Sequence, residues 1–306
     1  FLSQEMTEGK IFIGELSLDG GVRKVNGVLS MIIEAQRSGF KEIFIPEENA
    51  AEGKLVTGID VYTHSNLRQL IEHLQGKIKL QPLPKENILQ NLDRAYDVDF
   101  ADVKGQPVAR RALEIAAAGG HSILMMGAPG CGKTMLARRL VTILPPVTEA
   151  EALEITKIYS IVNMLPETES VMIERPFRSP HHSVSASALL GGGTYPMPGE
   201  VTLSHNGVLF LDELPEYSRS TLETLRQPLE DGVITVSRAS GTFEYPANFM
   251  LIASMNPCPC GNYGSKSLTC SCSPYMIQNY LKKLSGPLLD RIDLKIDVDR
   301  VDFLDL

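Results

Sequence analysis

The sequence predicts an α/β protein whose main body is a parallel sheet with helices on both faces, and two sets of observations predict it. Short apolar runs suited to buried strands occur at Ser122-Ile-Leu-Met-Met, Gly207-Val-Leu-Phe-Leu and Phe249-Met-Leu-Ile-Ala-Ser. Helical patterns lie around and between them, over residues 103–118, 135–144 and 220–230. Wholly apolar strands that alternate with helices pair in parallel, because each crossover helix covers one face of the sheet.

Ahead of this body, residues 10–90 predict a smaller α/β unit. Lys10-Ile-Phe-Ile-Gly-Glu-Leu-Ser-Leu alternates like a strand and runs into the turn Asp19-Gly20-Gly21. Residues 28–36 read as a helix, Glu42-Ile-Phe-Ile-Pro as a short buried strand, and 65–74 as an amphipathic helix capped by Ser65. Residues 77–98 carry Lys, Gln, Pro and Asn with weak periodicity, as a linker does. The expected division is 1–90 and 91–306, and 306 residues leave room for about two domains.

Composition narrows the function classes. A 43% hydrophobic chain can bury a sizeable core, and no apolar run approaches the roughly 18 residues of a membrane span. No membrane partner is expected. With 29 basic and 37 acidic residues the net charge is −8, against a broadly basic nucleic-acid-binding surface but not against a narrow channel lined by a few Arg and Lys. Four of the five cysteines fall between Cys258 and Cys272, and the remaining one is Cys131. Scattered disulfides do not cluster in that way, so a reducing cytoplasm is expected. The chain opens on Phe1 without a basic and apolar leader and reads as beginning inside a domain.

The chemistry concentrates in Gly127-Ala128-Pro129-Gly130-Cys131-Gly132-Lys133-Thr134. This matches G-x-x-x-x-G-K-[ST] in the context that gives the pattern meaning, after a strand and at the start of a helix. Glycines let backbone N–H groups face phosphate oxygens, and the helix N-terminus adds partial positive charge. Lys133 is expected to reach the β- and γ-phosphates of ATP, and the Thr134 hydroxyl to ligate Mg2+. A second half is expected where an apolar strand ends in acids, and Val208-Leu-Phe-Leu-Asp212-Glu213 supplies it. Asp212 would hold Mg2+, partly through water, and Glu213 would polarise the attacking water; the plainer alternative is a carboxylate pair that caps the next helix.

Arg175-Pro-Phe-Arg-Ser-Pro-His-His-Ser, Ala188-Leu-Leu-Gly-Gly-Gly, Pro198-Gly-Glu-Val-Thr-Leu-Ser-His-Asn, Leu225-Arg-Gln-Pro-Leu-Glu-Asp-Gly and Asn256-Pro-Cys-Pro-Cys-Gly resemble the Mg-chelatase-related AAA+ proteins, in particular a competence-associated branch of that family. The resemblance covers nearly the whole chain. It implies a P-loop AAA+ core, with Asn256 at the sensor 1 position that orients water beside the γ-phosphate. Ser285-Gly-Pro-Leu-Leu-Asp-Arg-Ile-Asp-Leu resembles the segment of helicase-like AAA+ proteins that carries an arginine finger. This implies that Arg291 reaches the neighbouring subunit's ATP; a surface salt bridge to Asp290 or Asp293 is the alternative.

The resemblance also implies homo-hexameric rings that move single-stranded or branched DNA, as helicases that promote branch migration when incoming DNA recombines. A segment corresponding to residues 175–197 and a hairpin around Ile234-Thr-Val-Ser-Arg-Ala-Ser-Gly-Thr-Phe are then expected to face the pore. Arg178, His181, His182 and Arg238 are the candidates for touching DNA phosphates, each equally readable as a local structural residue. Sixfold repetition of one Arg makes a ring of positive charge on an acidic protein. The rival function is a chelatase-type ATPase subunit that remodels a protein partner. Relative to the family, the C-terminal lid with its sensor 2 arginine is not in the sequence.

Gly14-Glu-Leu-Ser-Leu-Asp-Gly-Gly-Val-Arg-Lys-Val-Asn-Gly-Val resembles the Lon protease segment that leads to its catalytic lysine, so residues 1–90 read as a partial Lon-protease-like domain. A Ser–Lys dyad needs that amine as base. The aligned positions hold Leu29 and Met31, which take no proton, and the domain is expected to be non-proteolytic. Finally, Cys258-x-Cys260 and Cys270-x-Cys272 offer four thiolates on two short arms. They read either as a tetrahedral Zn2+ site, with a tighter spacing than usual, or as four reduced thiols in a surface loop.

Overall fold

The computed structural model describes residues 2–86, 96–166, 171–193, 196–238, 241–264 and 269–300. Most of the residue 87–98 stretch of the expected linker lies outside them. The chain divides into two compact units. The first comprises residues 1–93 together with 148–173, and the second residues 94–147 and 174–306. Residues 148–173, which the sequence reading leaves inside 91–306, therefore belong by their contacts to the first unit.

In the first unit β1 (Lys10–Phe12), β2 (Glu42–Pro46) and β3 (Asp60–His64) form a parallel sheet in that order, with Lys10 opposite Glu42 and Glu42 opposite Asp60. The apolar run Ile43-Phe44-Ile45 makes β2 the buried centre. Helix α1 (Val28–Arg37) buries Val28, Leu29, Ile32, Ile33 and Ala35, the spacing of one helical face. The strand expected over residues 10–18 is instead two: beyond β1, Glu15–Leu16 turns through Asp19-Gly20-Gly21 and pairs back on Val22–Arg23. Helix α2 (Leu67–Leu74) starts two residues later than expected, because Asn66 rather than Ser65 accepts the Gln69 N–H as its cap.

The helix Glu149–Ile161 was not expected, although Thr148 and Glu151 form a complete capping box that the sequence spells out. It docks on the first unit through a buried carboxylate. Glu52 accepts from the Ser160 hydroxyl at 2.5 Å, the Asn49 amide at 2.8 Å and the backbone N–H of Leu29 at 3.1 Å. Leu29 stands in the first turn of α1, so Glu52 also sits where the helix dipole favours negative charge.

The second unit holds the parallel sheet predicted from sequence. Its members are β4 (Ile123–Met126), β5 (Phe177–Arg178), β6 (Val208–Leu211), β7 (Met250–Met255) and β8 (Leu294–Asp297), in the order β8-β4-β7-β6-β5. Every pairing is parallel. One core cluster gathers Leu113, Ile123, Met125, Leu136, Phe210 and Ile252; another gathers Leu209, Leu211, Leu222, Leu251 and Leu288. Neighbouring residues of the same strands appear in different clusters, which is the sign of a sheet buried on both faces.

Helix α3 (Pro107–Gly119) begins later than expected, since Pro107 occupies the first helical position and Gln106 before it is left-handed, at φ 51°. Helix α4 (Lys133–Leu140) follows the Gly-rich loop. The single helix expected over residues 220–230 is two, Arg219–Glu223 and Arg226–Asp231. Pro228 has no N–H to give the carbonyl of Thr224, which breaks the ladder at that point. The expected hairpin is present: Val233–Arg238 pairs antiparallel with Gly241–Pro246, and Arg238 lies at its tip opposite Gly241. Among the described residues no helix is long and apolar enough to cross a membrane.

Candidate functional site

The site stands at the carboxyl ends of β4, β6 and β7, the place where open parallel sheets take ligands. β4 is buried over Ile123, Leu124 and Met125, and half-buried Met126 delivers the chain into the loop 127–132. The Gly127 N–H donates to Met255 O at 3.1 Å, tying the loop to β7. A Cβ on Gly127 would stand 2.3 Å from Val298 O, so no other residue fits without moving backbone. Gly130 and Gly132 have φ of 75° and 94°, the left-handed turns that fold the loop back on itself. Helix α4 then starts with no side-chain cap, leaving its first N–H groups free to face the loop.

Lys133 is 8% exposed. Its Nζ donates to Gly127 O at 2.7 Å, Ala128 O at 3.1 Å and the Oδ1 of Asn256 at 3.2 Å. Asn256 follows the last residue of β7, so the amine joins two strand ends. The Thr134 hydroxyl donates to Asp212 Oδ2 at 2.8 Å. The other Asp212 oxygen accepts from the Glu213 N–H at 3.1 Å and from the Ser254 hydroxyl. Glu213 itself is left-handed at φ 53°, a strained state for a non-glycine residue that bends the chain sharply after the strand.

Several contributors were not legible in the sequence. Ser254 is fully buried and reaches both acidic positions, accepting from the Glu213 N–H at 3.3 Å. Its signal was a single hydroxyl inside an apolar strand, since a buried polar group needs partners. Gln106 donates its amide to Cys131 O at 2.8 Å and Asp299 O at 2.9 Å, bracing the loop from outside. Arg300 donates to Pro129 O at 3.2 Å. Tyr217 donates to Pro180 O at 2.6 Å. Burial, then the charges of Asp212 and Glu213, push its phenol well above the ordinary value, so the hydroxyl keeps the proton it donates.

The remaining candidates divide. Arg178, on β5, makes a bidentate pair with Glu200 at 2.7 and 2.8 Å, so its guanidinium is engaged within the chain. His181 Nδ1 lies 2.8 Å from the Ser183 hydroxyl, and His182 Nδ1 lies 3.8 Å from Glu213 Oε2, beside the acidic pair. Arg291 donates to Pro287 O at 2.9 Å and pairs with Glu230, not with Asp290 or Asp293. Asp293 instead accepts from the Ser122 N–H at the start of β4.

Cys258, Cys260, Cys270 and Cys272 come together, although residues 265–268 between the arms lie outside the described set. All are free thiols, and their sulfurs lie within 4.8 Å of one another. Three of the separations are 3.4, 3.6 and 3.7 Å. A tetrahedron of sulfurs about 2.3 Å from a central Zn2+ has edges of about 3.8 Å. Backbone N–H groups of Asn262 and Ser271 lower the Cys260 thiol to about 5, whereas burial and the neighbouring sulfurs raise the thiols of Cys270 and Cys272. The pKa shifts therefore do not favour four thiolates, and the sulfur separations alone speak for a metal. The first cysteine arm also abuts the Gly-rich loop: a Cβ on Gly261 would stand 2.4 Å from Pro129 Cδ.

Comparison with known proteins gives the family. A family model described as magnesium chelatase, subunit ChlI, matches residues 99–306, and a second, subunit ChlI of Mg-chelatase, matches residues 2–49. The chain is 47% identical over 291 residues to competence protein ComM of Haemophilus influenzae, covering 94% of this chain and 56% of that protein. It is 44% identical over 304 residues to the Escherichia coli protein YifB, covering 97% and 58%. It is 26% identical over 186 residues to a magnesium-chelatase 67 kDa subunit of Heliobacterium mobile, covering 52% and 28%. The chain thus spans a little over half the length of the two more similar relatives. With its P-loop, its five-stranded parallel sheet and these matches, the chain belongs to the magnesium chelatase, subunit ChlI, family of AAA+ proteins.

Proposed function

We propose that this chain is the motor part of an ATP-hydrolysing, homo-hexameric DNA translocase or helicase that promotes branch migration during recombination of incoming DNA, working in the cytoplasm. Family membership implies ATP and Mg2+ as cofactors. The residues present fit that pair: a cradle closed to any Cβ at Gly127, one buried amine at Lys133, and the Thr134–Asp212 couple at the rim. Mg2+ supplies neutralisation of charge on the phosphate oxygens. The backbone of Gly127, Ala128, Pro129, Gly130, Cys131 and Gly132 orients the polyphosphate, and Lys133 exchanges carbonyl partners for β- and γ-phosphate oxygens. Thr134 and Asp212, which are hydrogen-bonded to each other, would hold the metal. Glu213 takes the proton of the attacking water, which Asn256 helps orient.

The single observation that carries the motor reading is the Thr134–Asp212–Ser254 chain of hydrogen bonds, which joins both halves of a phosphoryl-transfer site. Likeness to competence protein ComM favours DNA as the substrate of the motion, with Arg238 at the hairpin tip as its foremost phosphate contact. The second reading, a chelatase-type subunit that remodels a protein partner, is favoured by the match to the Heliobacterium magnesium-chelatase subunit. ATP turnover by the full-length protein, measured with and without single-stranded and branched DNA, separates the two. Stimulation by DNA is expected; turnover indifferent to any DNA would favour the protein partner.

Residues 1–90 act in this reading as a non-proteolytic Lon-like scaffold. Leu29 is buried in the core of the first unit and Met31 lies on the same helix, so neither position offers an amine base. The four cysteines hold a structural zinc, on the strength of their sulfur separations. Elemental analysis of protein purified without chelators should find about one zinc per chain. Four freely titrating thiols and no zinc would refute the site.

A further inference from the structure

The two cysteine arms are built into the nucleotide site rather than set apart from it. The first leaves the end of β7: Asn256, whose Oδ1 accepts from Lys133 Nζ at 3.2 Å, stands two residues before Cys258. Cys258 is fully buried; its carbonyl takes the Gly261 N–H at 2.9 Å and its sulfur the Tyr263 N–H at 3.3 Å. These bonds coil the arm into a tight turn that sets Gly261 against the ring of Pro129 in the Gly-rich loop. A Cβ on Gly261 would stand 2.4 Å from Pro129 Cδ and 2.7 Å from its Cγ, and the residue is left-handed at φ 80°. Glycine is required there twice over, by the contact and by the turn.

The second arm returns to the same place. Cys272 precedes the helix Pro274–Leu281, which Ser273 caps by accepting the Met276 N–H. Tyr280, buried on that helix, has its hydroxyl beside the backbone N–H of Asn256. The arms meet each other through sulfur. Cys270 Sγ lies 3.7 Å from that of Cys258 and 3.6 Å from that of Cys260, and the Cys260 N–H donates to Cys272 Sγ at 3.4 Å. Thiols form weak hydrogen bonds, so such contacts hold two arms loosely, whereas four metal–sulfur bonds fix them. Pro129 is also held at its carbonyl, by Arg300 at 3.2 Å, but its ring rests on Gly261.

We propose that the metal bound by the four cysteines braces the phosphate-binding loop, with Gly261 as the positioning residue that seats Pro129, so that metal occupancy sets the affinity for ATP. The inference rests on the zinc and nucleotide-site readings above and goes beyond them by coupling the two. Gly130 and Gly132 give the loop its left-handed turns and, lacking side chains, also leave it conformational freedom. A loop that spends time outside its binding form lowers ligand affinity by that fraction. The metal touches no phosphate; it acts through one glycine, one proline ring and the shared Asn256. A motor built in this way loosens its hold on nucleotide when the metal leaves and recovers it when the metal returns.

The test uses the full-length protein in excess Mg2+, with equilibrium binding of a fluorescent ATP analogue and zinc content measured on the same samples. Stripping zinc with a zinc-selective chelator should weaken binding roughly tenfold, the loss for a loop in its binding form about a tenth of the time. Adding Zn2+ back should restore it. Gly261→Ala, whose methyl group presses on the Pro129 ring, should retain zinc and show a similar loss. Combined with Pro129→Ala, which removes that ring, it should cost less than the two single losses together, the coupling of residues in contact. Full ATP affinity in zinc-free protein that stays folded by circular dichroism would overturn the proposal, as would wild-type affinity in zinc-loaded Gly261→Ala. Strictly additive losses in the double variant would also overturn it, since the brace would not then run through Pro129. If the zinc-free protein unfolds, the Gly261 and Pro129 variants decide alone. Wild-type protein without zinc would overturn the metal reading and this proposal with it. Zinc-loaded protein that binds no ATP would instead overturn the nucleotide-site reading.

Discussion

Lys133→Ala should weaken ATP binding by roughly 10- to 100-fold, the equivalent of one charge-assisted hydrogen bond at about 1.5–3 kcal/mol. Glu213→Gln should bind ATP as the wild type does and lose hydrolysis by roughly 10²–10⁴-fold, the usual contribution of a general base. The two variants differ because the two side chains do different things. The Lys133 amine is buried, with its donors turned onto Gly127 O, Ala128 O and Asn256, so it is already directed into the cradle. Glu213 lies at the exposed rim, with its side chain 57% exposed, so on the proposed reading its carboxylate would meet water rather than phosphate. Equilibrium binding of a fluorescent ATP analogue together with single-turnover hydrolysis separates these effects. Equal nucleotide affinity in Lys133→Ala and wild type would remove the loop 127–134 from consideration as the nucleotide site.

Arg291→Ala should keep nucleotide affinity and lose hydrolysis by roughly 10³–10⁵-fold in the assembled ring, the range measured for arginine fingers elsewhere. Within one chain the guanidinium is held by Glu230 and Pro287 O, both on its own subunit. A finger acting in trans exchanges that carboxylate for the neighbour's phosphates, an exchange of one anionic partner for another of higher charge. Its effect then belongs to the interface. Mixed hexamers of Arg291→Ala and Lys133→Ala should recover part of the lost activity, since one interface in the mixture combines an intact loop with an intact arginine. Wild-type hydrolysis by an assembled Arg291→Ala ring would place the finger at another residue.

What the sequence reveals of this site is what lies close together in the chain. Gly127 to Thr134 is one uninterrupted stretch, and Asp212-Glu213 closes one apolar strand, so both are visible without knowing the fold. In the structure these two stretches and Asn256 lie together at the carboxyl ends of β4, β6 and β7. Ser254, Gln106 and Tyr217 were missed because each acts across the fold, on a residue tens of positions away. A serine in a strand and a tyrosine after a turn have many other uses, and only the sheet order brings these two to the acids.

The same limit explains Arg178 and the helix boundaries. Arg178 lies in a basic, histidine-rich segment and reads as a phosphate contact until Glu200, 22 positions on, is seen to accept from its Nε and Nη2. Local rules were strong enough to place β2 and β4, while the hairpin was expected from the family resemblance. As applied to the sequence, those rules did not choose between Ser65 and Asn66 as a cap, or divide the helix between Glu223 and Arg226, ahead of Pro228. The assignment of residues 148–173 to the first unit rests on long-range contacts such as Glu52–Ser160, which no local pattern announces.

The most direct test of the DNA-motor reading is a branch-migration assay with a synthetic four-way junction, the full-length protein and Mg2+. Wild-type protein should resolve the junction into its duplex products with ATP and leave it intact with ADP, and Glu213→Gln should bind the junction without moving it. A wild-type protein that hydrolyses ATP yet leaves every junction unmoved, at a rate no DNA alters, would contradict the DNA-motor reading and leave the protein-remodelling one standing.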